Sequence, residues 1–250
     1  QGPEEDTIFK NLFADRKAEG YVVASGHKNG KTITVYKNKE GQTLSEQAKY
    51  MLAPGGEYVP SVVSRIMEYT NNKGYLENYT RIRKIIRSEK AEEVFFSGPI
   101  SIGTLLCSGI LSSNLYQRLA SNGAALLINQ ASYGLFKRDA LTLHQSTAMA
   151  RVQALANSRY LVQSTSSGNS FIVDPAGSII AEGPAGETQF VHALVRPTTK
   201  KVFFVVYGNW IIGVALMTLL IRTLVFVIVQ VRLFIQKRAD KKKESLLLHT

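Results

Sequence analysis

Hydrophobic and polar positions follow two rhythms along this chain, and one stretch follows neither. "GYVVASGHKNGKTITVYKNKEG" (20–41) alternates at period two on both sides of Lys28-Asn29-Gly30. Asn-Gly favours the tight turns that join antiparallel strands, so the spacing predicts a hairpin. "VPSVVSRIMEYTNNKGYLENYTRIRKI" (59–85) reads as partly helical, then irregular and basic. "ISIGTLLC" (100–107) and "AALLINQ" (124–130) are continuous apolar runs, the mark of strands buried on both faces. Between them "SSNLYQRLASNG" (112–123) predicts a helix, with serine and asparagine as cap candidates and Gly123 as its stop. "ALTLHQSTAMARVQALANSR" (140–159) predicts a long amphipathic helix. "YLVQSTSS" (160–167) and "SFIVDPAGSIIAEG" (170–183) predict strands, the second turning at Pro175-Ala176-Gly177. "TQFVHALV" (188–195) predicts a last strand. Strands alternating with helices imply a layered α/β domain.

The exception to both rhythms runs from Val202 to Gln236, "VFFVVYGNWIIGVALMTLLIRTLVFVIVQVRLFIQ". A bilayer crossing takes about 20 apolar residues, and this stretch supplies them. Tyr207, Asn209 and Trp210 stand at one end as an interfacial belt, and "QKRADKKK" follows the other. The positive-inside rule then puts the tail in the cytoplasm and all that precedes Val202 on the opposite face. Arg222 falls within the span, where it snorkels, packs against another helix, or meets a lipid head group. The organisation expected is a domain over 1–200, a transmembrane helix over 201–236 and a basic tail over 237–250.

Charge sharpens this picture. The chain of 250 residues carries 30 Lys and Arg against 19 Asp and Glu, a net +11, and much of the excess crowds behind the apolar span. Basic charge in that position speaks for membrane orientation and not for nucleic acid. The four histidines, His27, His144, His192 and His249, lack metal-ligand spacing, and no phosphate-binding glycine loop is present.

Three stretches carry chemistry. Cys107, the single cysteine, ends an apolar strand and precedes a helix. It is either inert packing or a nucleophile whose thiolate the helix N-terminus favours. "KYMLAPGGEYVP" (49–60) sets Glu57 on a tight Pro-Gly-Gly loop eight residues after Lys49. "GPEEDTIF" (2–9) holds Glu4 and Glu5 in an acidic stretch.

Together these pieces resemble the nitrilase superfamily, and within it the apolipoprotein N-acyltransferases. "KYMLAPGGEYVP", "TLLC", "AALLINQASYG", "MARVQALANSRYLVQSTSSGNSFIVDPAG" and "VRPTTKKVFFVVYGNW" match that family's stretches in order, from about Lys49 to Trp210. The resemblance implies an α-β-β-α sandwich of two face-to-face sheets, its first strand lying before Gln1. It implies Cys107 as the nucleophile that accepts an acyl chain, Lys49 as the stabiliser of the oxyanion and Glu57 as a supporting carboxylate. Glu4, which follows a proline, takes the place of the general base, with Glu5 the alternative one register on. Tyr133 and Phe136 stand where the family has substrate-side aromatics. No cofactor is implied. The implied partners are a phospholipid donor, a lipoprotein acceptor, the membrane, and a set of transmembrane helices that this sequence does not contain. The implied location is the bacterial inner membrane, with the catalytic domain on the extracytoplasmic face. The pattern departs where the family follows cysteine with Tyr and Glu, since Ser108 and Gly109 stand there. That departure keeps open a catalytically degenerate homologue with a binding or subunit role. An anchored amidase shares the same site residues.

Overall fold

The structure, a computed structural model, describes residues 20–70, 74, 85–98, 100–134, 139–187 and 189–247, with side chains to 236. Two compact units divide at Val206 and Tyr207.

The first unit opens with three antiparallel strands, β1 (Tyr21–Lys28), β2 (Lys31–Asn38) and β3 (Thr43–Ala48). The hairpin forms where expected. Asn29 and Gly30 both take positive φ, 51° and 73°, as the primed turn that matches strand twist requires. Strand β3, "TLSEQA", has no apolar alternation and escapes the sequence reading. It is an edge strand, half exposed, held by its ladder to β2.

The second sheet has six strands in chain order: β4 (Phe95–Ser97), β5 (Ile100–Leu106), β6 (Leu126–Ser132), β7 (Tyr160–Ser166), β8 (Phe171–Val173) and β9 (Ile179–Glu182). The two apolar runs form β5 and β6 as buried strands; β5, β6 and β7 pair in parallel, and the remaining neighbours are antiparallel. Parallel pairing needs crossovers, and the helices α2 (Ser113–Ser121) and α3 (Ala140–Asn157) supply them. Ser112 caps α2 by accepting from the Leu115 N–H, and Gly123 turns the chain out with φ 98°. Asp139 caps α3 through the Thr142 N–H, and this pair of bonds with Thr142 holds the Asp139 carboxyl below its usual range.

Two apolar layers result. Leu105, Leu119, Leu127, Leu161, Phe171 and Val173 fill the space between the six-stranded sheet and α2 and α3. Tyr36, Phe95, Ile102 and Ile128 join the two sheets, with the Tyr36 and Phe95 rings stacked at 4.3 Å. Each fully buried side chain of this size contributes about 1.5–3 kcal/mol. The sheets therefore stack face to face with helices on the outer side, the nitrilase-like arrangement that the resemblance implies.

Two readings are corrected. Helix α3 is present but does not bury an apolar stripe. Its inner face is Ser146, Ala150, Gln153, Ala154 and Asn157, while Leu141, Met149, Val152 and Leu155 are exposed. Small side chains bring the helix close to the sheet, and the polar ones are bonded to its surroundings: Ser146 Oγ accepts from Gln163 Nε2 of β7 at 2.9 Å, and Gln153 donates to Ile110 O at 3.1 Å and to Ser113 Oγ of α2 at 3.2 Å. The stretch 189–195 is not a strand. Its alternation is real, with Phe190 and Leu194 84% and 97% exposed and Val191, Ala193 and Val195 half-buried. Alternation records an extended chain with one face turned inward, whereas a strand also needs a hydrogen-bonded neighbour.

Helix α1 (Ser61–Tyr69) follows the lysine loop and buries none of its residues. Past a short α4 (Phe203–Tyr207), α5 (Trp210–Leu247) makes up most of the second unit. Trp210–Gln236 is long and apolar enough to cross a membrane.

Candidate active site

The C-terminal ends of β5, β6 and β7 lie along one sheet edge, where ligands of parallel sheets bind. Leu106 ends β5, and Cys107 begins a 3-10 turn, Cys107–Leu111. Cys107 has φ 47°, a left-handed conformation rare for a residue with a side chain. This strand-to-turn kink holds the thiol half-exposed at the sheet edge. The turn is packed hard from within. A Cβ on Gly109 would meet the Leu105 Cβ at 2.7 Å, so a glutamate there requires the turn to move. The missing carboxylate is thus built into the backbone path. Ser108 takes up a different duty and donates to Met51 O at 3.0 Å, tying the cysteine turn to the lysine loop.

Lys49 follows β3 directly. Its N–H donates to Thr32 O at 2.8 Å, and its carbonyl accepts from the Ser88 N–H at 3.0 Å. The side chain is 1% exposed, and its ammonium donates to Glu57 Oε2 at 2.6 Å. The same carboxylate oxygen accepts from the Ala53 N–H at 2.6 Å. The loop that carries Glu57 closes on itself: Gly55 donates to Tyr58 O at 2.8 Å and takes φ 72°, and Glu57 donates to Ala53 O at 2.8 Å. A buried ammonium needs such a partner, since an unpaired one costs several kcal/mol, about 3–5.

One cavity of about 830 Å³ brings these groups together. Lys49, Glu57 and Cys107 line it, with His27 and Thr32 from the hairpin and Gln130 from β6. The ends of β6 and β7 add Ser132, Ser164, Thr165 and Ser166 to the lining. A volume of this order suits a small organic ligand. A thiol and an ammonium held by a carboxylate are parts that nucleophilic attack on a carbonyl needs.

Tyr133 is not among the cavity's lining residues. It is buried, its hydroxyl bonded to Ser146 Oγ, while Gln163 Nε2 donates to Ser146 Oγ at 2.9 Å and to the Tyr133 hydroxyl at 3.4 Å. Burial raises the Tyr133 phenol above its ordinary value; the Ser146 bond opposes this, and the nearby Cys107 adds to it. Glu4, Glu5 and Phe136 lie outside the described residues. Among the described residues no cluster of His, Cys, Asp and Glu is grouped to hold a metal.

Sequence reasoning missed Glu92. It is buried, its Oε1 accepts from the Tyr50 N–H at 3.0 Å, and its backbone carbonyl accepts from Arg118 Nη2 at 2.7 Å. Burial raises its pKa, against the opposing pull of the Tyr50 bond and of the Arg118 and Lys49 charges. It stands 35 residues after Glu57 in unpatterned chain, so no local signal marks it. Ser108 was legible only as a departure from the family pattern.

The carbon-nitrogen hydrolase family model matches residues 19–201. Apolipoprotein N-acyltransferase 2 of Treponema denticola is 26% identical over 246 residues, 94% of this chain and 43% of that protein. The apolipoprotein N-acyltransferase of Aquifex aeolicus is 27% identical over 147 residues, 59% of this chain and 31% of that one. The chain thus spans less than half the length of either relative. Among solved structures, an amidase from Nesterenkonia sp. superposes with a TM-score of 0.56 at 15% identity, covering 83% of this chain and 72% of that one. At that identity the likeness concerns the fold.

Proposed function

This chain belongs to the carbon-nitrogen hydrolase family, and from that premise we propose that it is a membrane-anchored N-acyltransferase. The observation that carries the reading is the single cavity lined by Cys107, Lys49 and Glu57. The relatives named apolipoprotein N-acyltransferase, and an apolar helix of membrane-crossing length after the catalytic unit, give the class of substrate. Both substrates of such a reaction are lipids, so an anchor keeps the site beside them.

In the first step the Cys107 thiolate attacks an ester carbonyl of a phospholipid. The C–S bond forms, the Lys49 ammonium bonds to the oxyanion, and the C–O bond then breaks to release a lysophospholipid. The thiol proton goes to a general base, assigned to Glu4 with Glu5 as its alternative, and from there to the leaving alkoxide. In the second step the N-terminal amine of a lipoprotein attacks the thioester, the amide forms, and the thiol is restored. Glu57 holds the Lys49 ammonium in position through its 2.6 Å bond. Tyr133 supports the floor behind Cys107, and Phe136 serves the acyl side. The catalytic domain faces away from the cytoplasm at the bacterial inner membrane, and the basic tail faces it.

A second reading has a specific observation behind it. The close approach of Gly109 to Leu105 shuts out the glutamate that the family pattern places there, which favours a catalytically degenerate homologue with a binding or subunit role. An anchored amidase would use water in place of the amine.

Intact-mass measurement after incubation with phospholipid in detergent separates these. The transferase reading expects an acyl adduct on the wild type, released by hydroxylamine and absent from Cys107→Ala. A folded wild type that takes no adduct, with its native membrane partners present, overturns it in favour of the degenerate homologue.

A further inference from the structure

Helix α5 carries one charge that nothing around it explains. Arg222 lies inside Trp210–Gln236, is exposed, and has no carboxylate partner among the described residues. Its significance rests on the reading of α5 as membrane-spanning.

The depth of Arg222 is set by two markers. Tryptophan prefers the membrane interface, and Arg232 is the last charge before the basic run that begins at Lys237. At 1.5 Å per residue Trp210 and Arg232 stand about 33 Å apart, close to a hydrocarbon core of about 30 Å. In that register Arg222 is about 18 Å from the Trp210 level and about 15 Å from the Arg232 level, at the mid-plane. An unpaired arginine there is costly, which is why charges at that depth pair with one another or line the interior of a bundle. Sliding the helix to bring Arg222 to a surface would drag Ile211–Ile221 or Thr223–Val231 into water. The phosphate groups of the lipids lie beyond both ends of this register.

The face around Arg222 has its own character. Thr218, Leu219, Val225 and Phe226 flank it at spacings of three and four, with Ala215 and Val229 a turn further along the same side. Ala215, Thr218, Val225 and Val229 are the smaller members of this face and lie together, with Leu219 and Phe226 at its edge. The Thr218 hydroxyl is turned to its own helix, donating to Val214 O at 2.9 Å. Small side chains let a second helix come close, and polar groups bind it there. A second copy of α5 does not supply the missing charge. The chain has no Asp or Glu between Glu187 and Asp240, so a parallel copy would set Arg222 against Arg222.

We infer that Arg222 pairs at the bilayer mid-plane with a carboxylate on a different transmembrane helix, packed on the Ala215, Thr218, Val225 and Val229 face. The partner is defined by its chemistry: an apolar helix with one Asp or Glu near its centre.

Photo-crosslinking in native membranes tests this, with p-benzoylphenylalanine in place of Phe226, one turn from Arg222. The expected product joins position 226 to a membrane segment that contains Asp or Glu, located by mass spectrometry of the crosslinked peptide. Breaking such a buried pair leaves a charge unanswered, so Arg222→Leu lowers the yield at least about tenfold, while Arg222→Lys keeps most of it. Crosslinks only to lipid, to a second α5 or to a segment without a carboxylate overturn the inference, as does a yield indifferent to Arg222→Leu. Unchanged alkylation of Cys107 in Arg222→Leu verifies that the catalytic unit is intact. A separate measurement addresses the spanning itself. In a Cys107→Ala background, Asn209→Cys and Arg238→Cys should react with an impermeant maleimide from opposite sides, and reaction from one side removes the premise as distinct from the pairing.

Discussion

At the scale of single residues, the site is a set of exceptions to ordinary chain behaviour. Cys107 adopts a backbone conformation that few side-chain-bearing residues take. Lys49 is an ammonium buried out of water and answered by Glu57. Gly109 is a glycine by necessity, because its neighbour Leu105 leaves no room for a Cβ. Gly109→Ala should cost about 1–3 kcal/mol in urea unfolding as an overpacking change, and the excess should vanish in a Leu105→Gly background, which removes the Cβ it meets. Glu92 gives a pH signature. Its pKa in the folded protein is raised above the ordinary value of 4.5, chiefly by burial. The folded state therefore binds the proton more tightly than the unfolded one. Stability from this group is fully present below about 4.5 and is lost as pH rises through the raised folded value. Glu92→Gln, which keeps an acceptor for the Tyr50 N–H, should flatten that fall and gain on the wild type toward neutral pH. Urea midpoints measured between acid and neutral pH check it; parallel curves for the two proteins would mean that Glu92 titrates as it does unfolded.

At the scale of elements, some periodicities carried information and others did not. The two continuous apolar runs became β5 and β6, since burial on both faces leaves no room for polar alternation. The Asn-Gly turn marked the hairpin because few residues tolerate two successive positive φ angles. α3 was legible as a helix but not as to its buried face. Its inward side is small and polar, and its larger apolar residues face outward. Ala150→Leu should cost about 1–3 kcal/mol, whereas Val152→Gln should stay within about 0.5 kcal/mol. Chemical denaturation of the pair decides the matter, because an apolar inner stripe would reverse their order. β3 was invisible because an edge strand is held by its neighbour's ladder and not by its own side chains.

At the scale of the whole molecule, one buried cation binds distant parts of the first unit. Arg159 is fully buried, and burial depresses its pKa. Its guanidinium donates to Ala124 O at 2.7 Å, to Asn157 O and Ser158 O at 3.1 Å, and to Lys200 O at 2.7 Å. These contacts fasten the start of β6, the junction of α3 and β7, and the segment that leads to α4. Gln117 adds a bond to Val205 O at 2.6 Å. Arg159→Ala should lose at least about 2–3 kcal/mol, since hydrogen bonds from charged groups are the stronger ones. Limited proteolysis should then cut near Lys200 or Lys201 at lower protease concentration than in the wild type. Unchanged cleavage would assign the fastening to Val205 and its packing.

Taken by itself, the sequence determined the two buried apolar strands, the helices that alternate with them, the apolar span and the motif order that places Lys49, Glu57 and Cys107 in one family pattern. These are legible because they depend on local period and on residue type at fixed spacing. Only the tertiary structure decided that those three residues share a cavity, that Ser108 locks the cysteine turn to the lysine loop, that a buried Glu92 accepts from the Tyr50 N–H, and that residues 189–195 run extended without a partner strand. The physical reason is the same in each case. A contact between residues far apart in the chain depends on how strands pair and layers stack, and no local rhythm of apolar and polar positions encodes it.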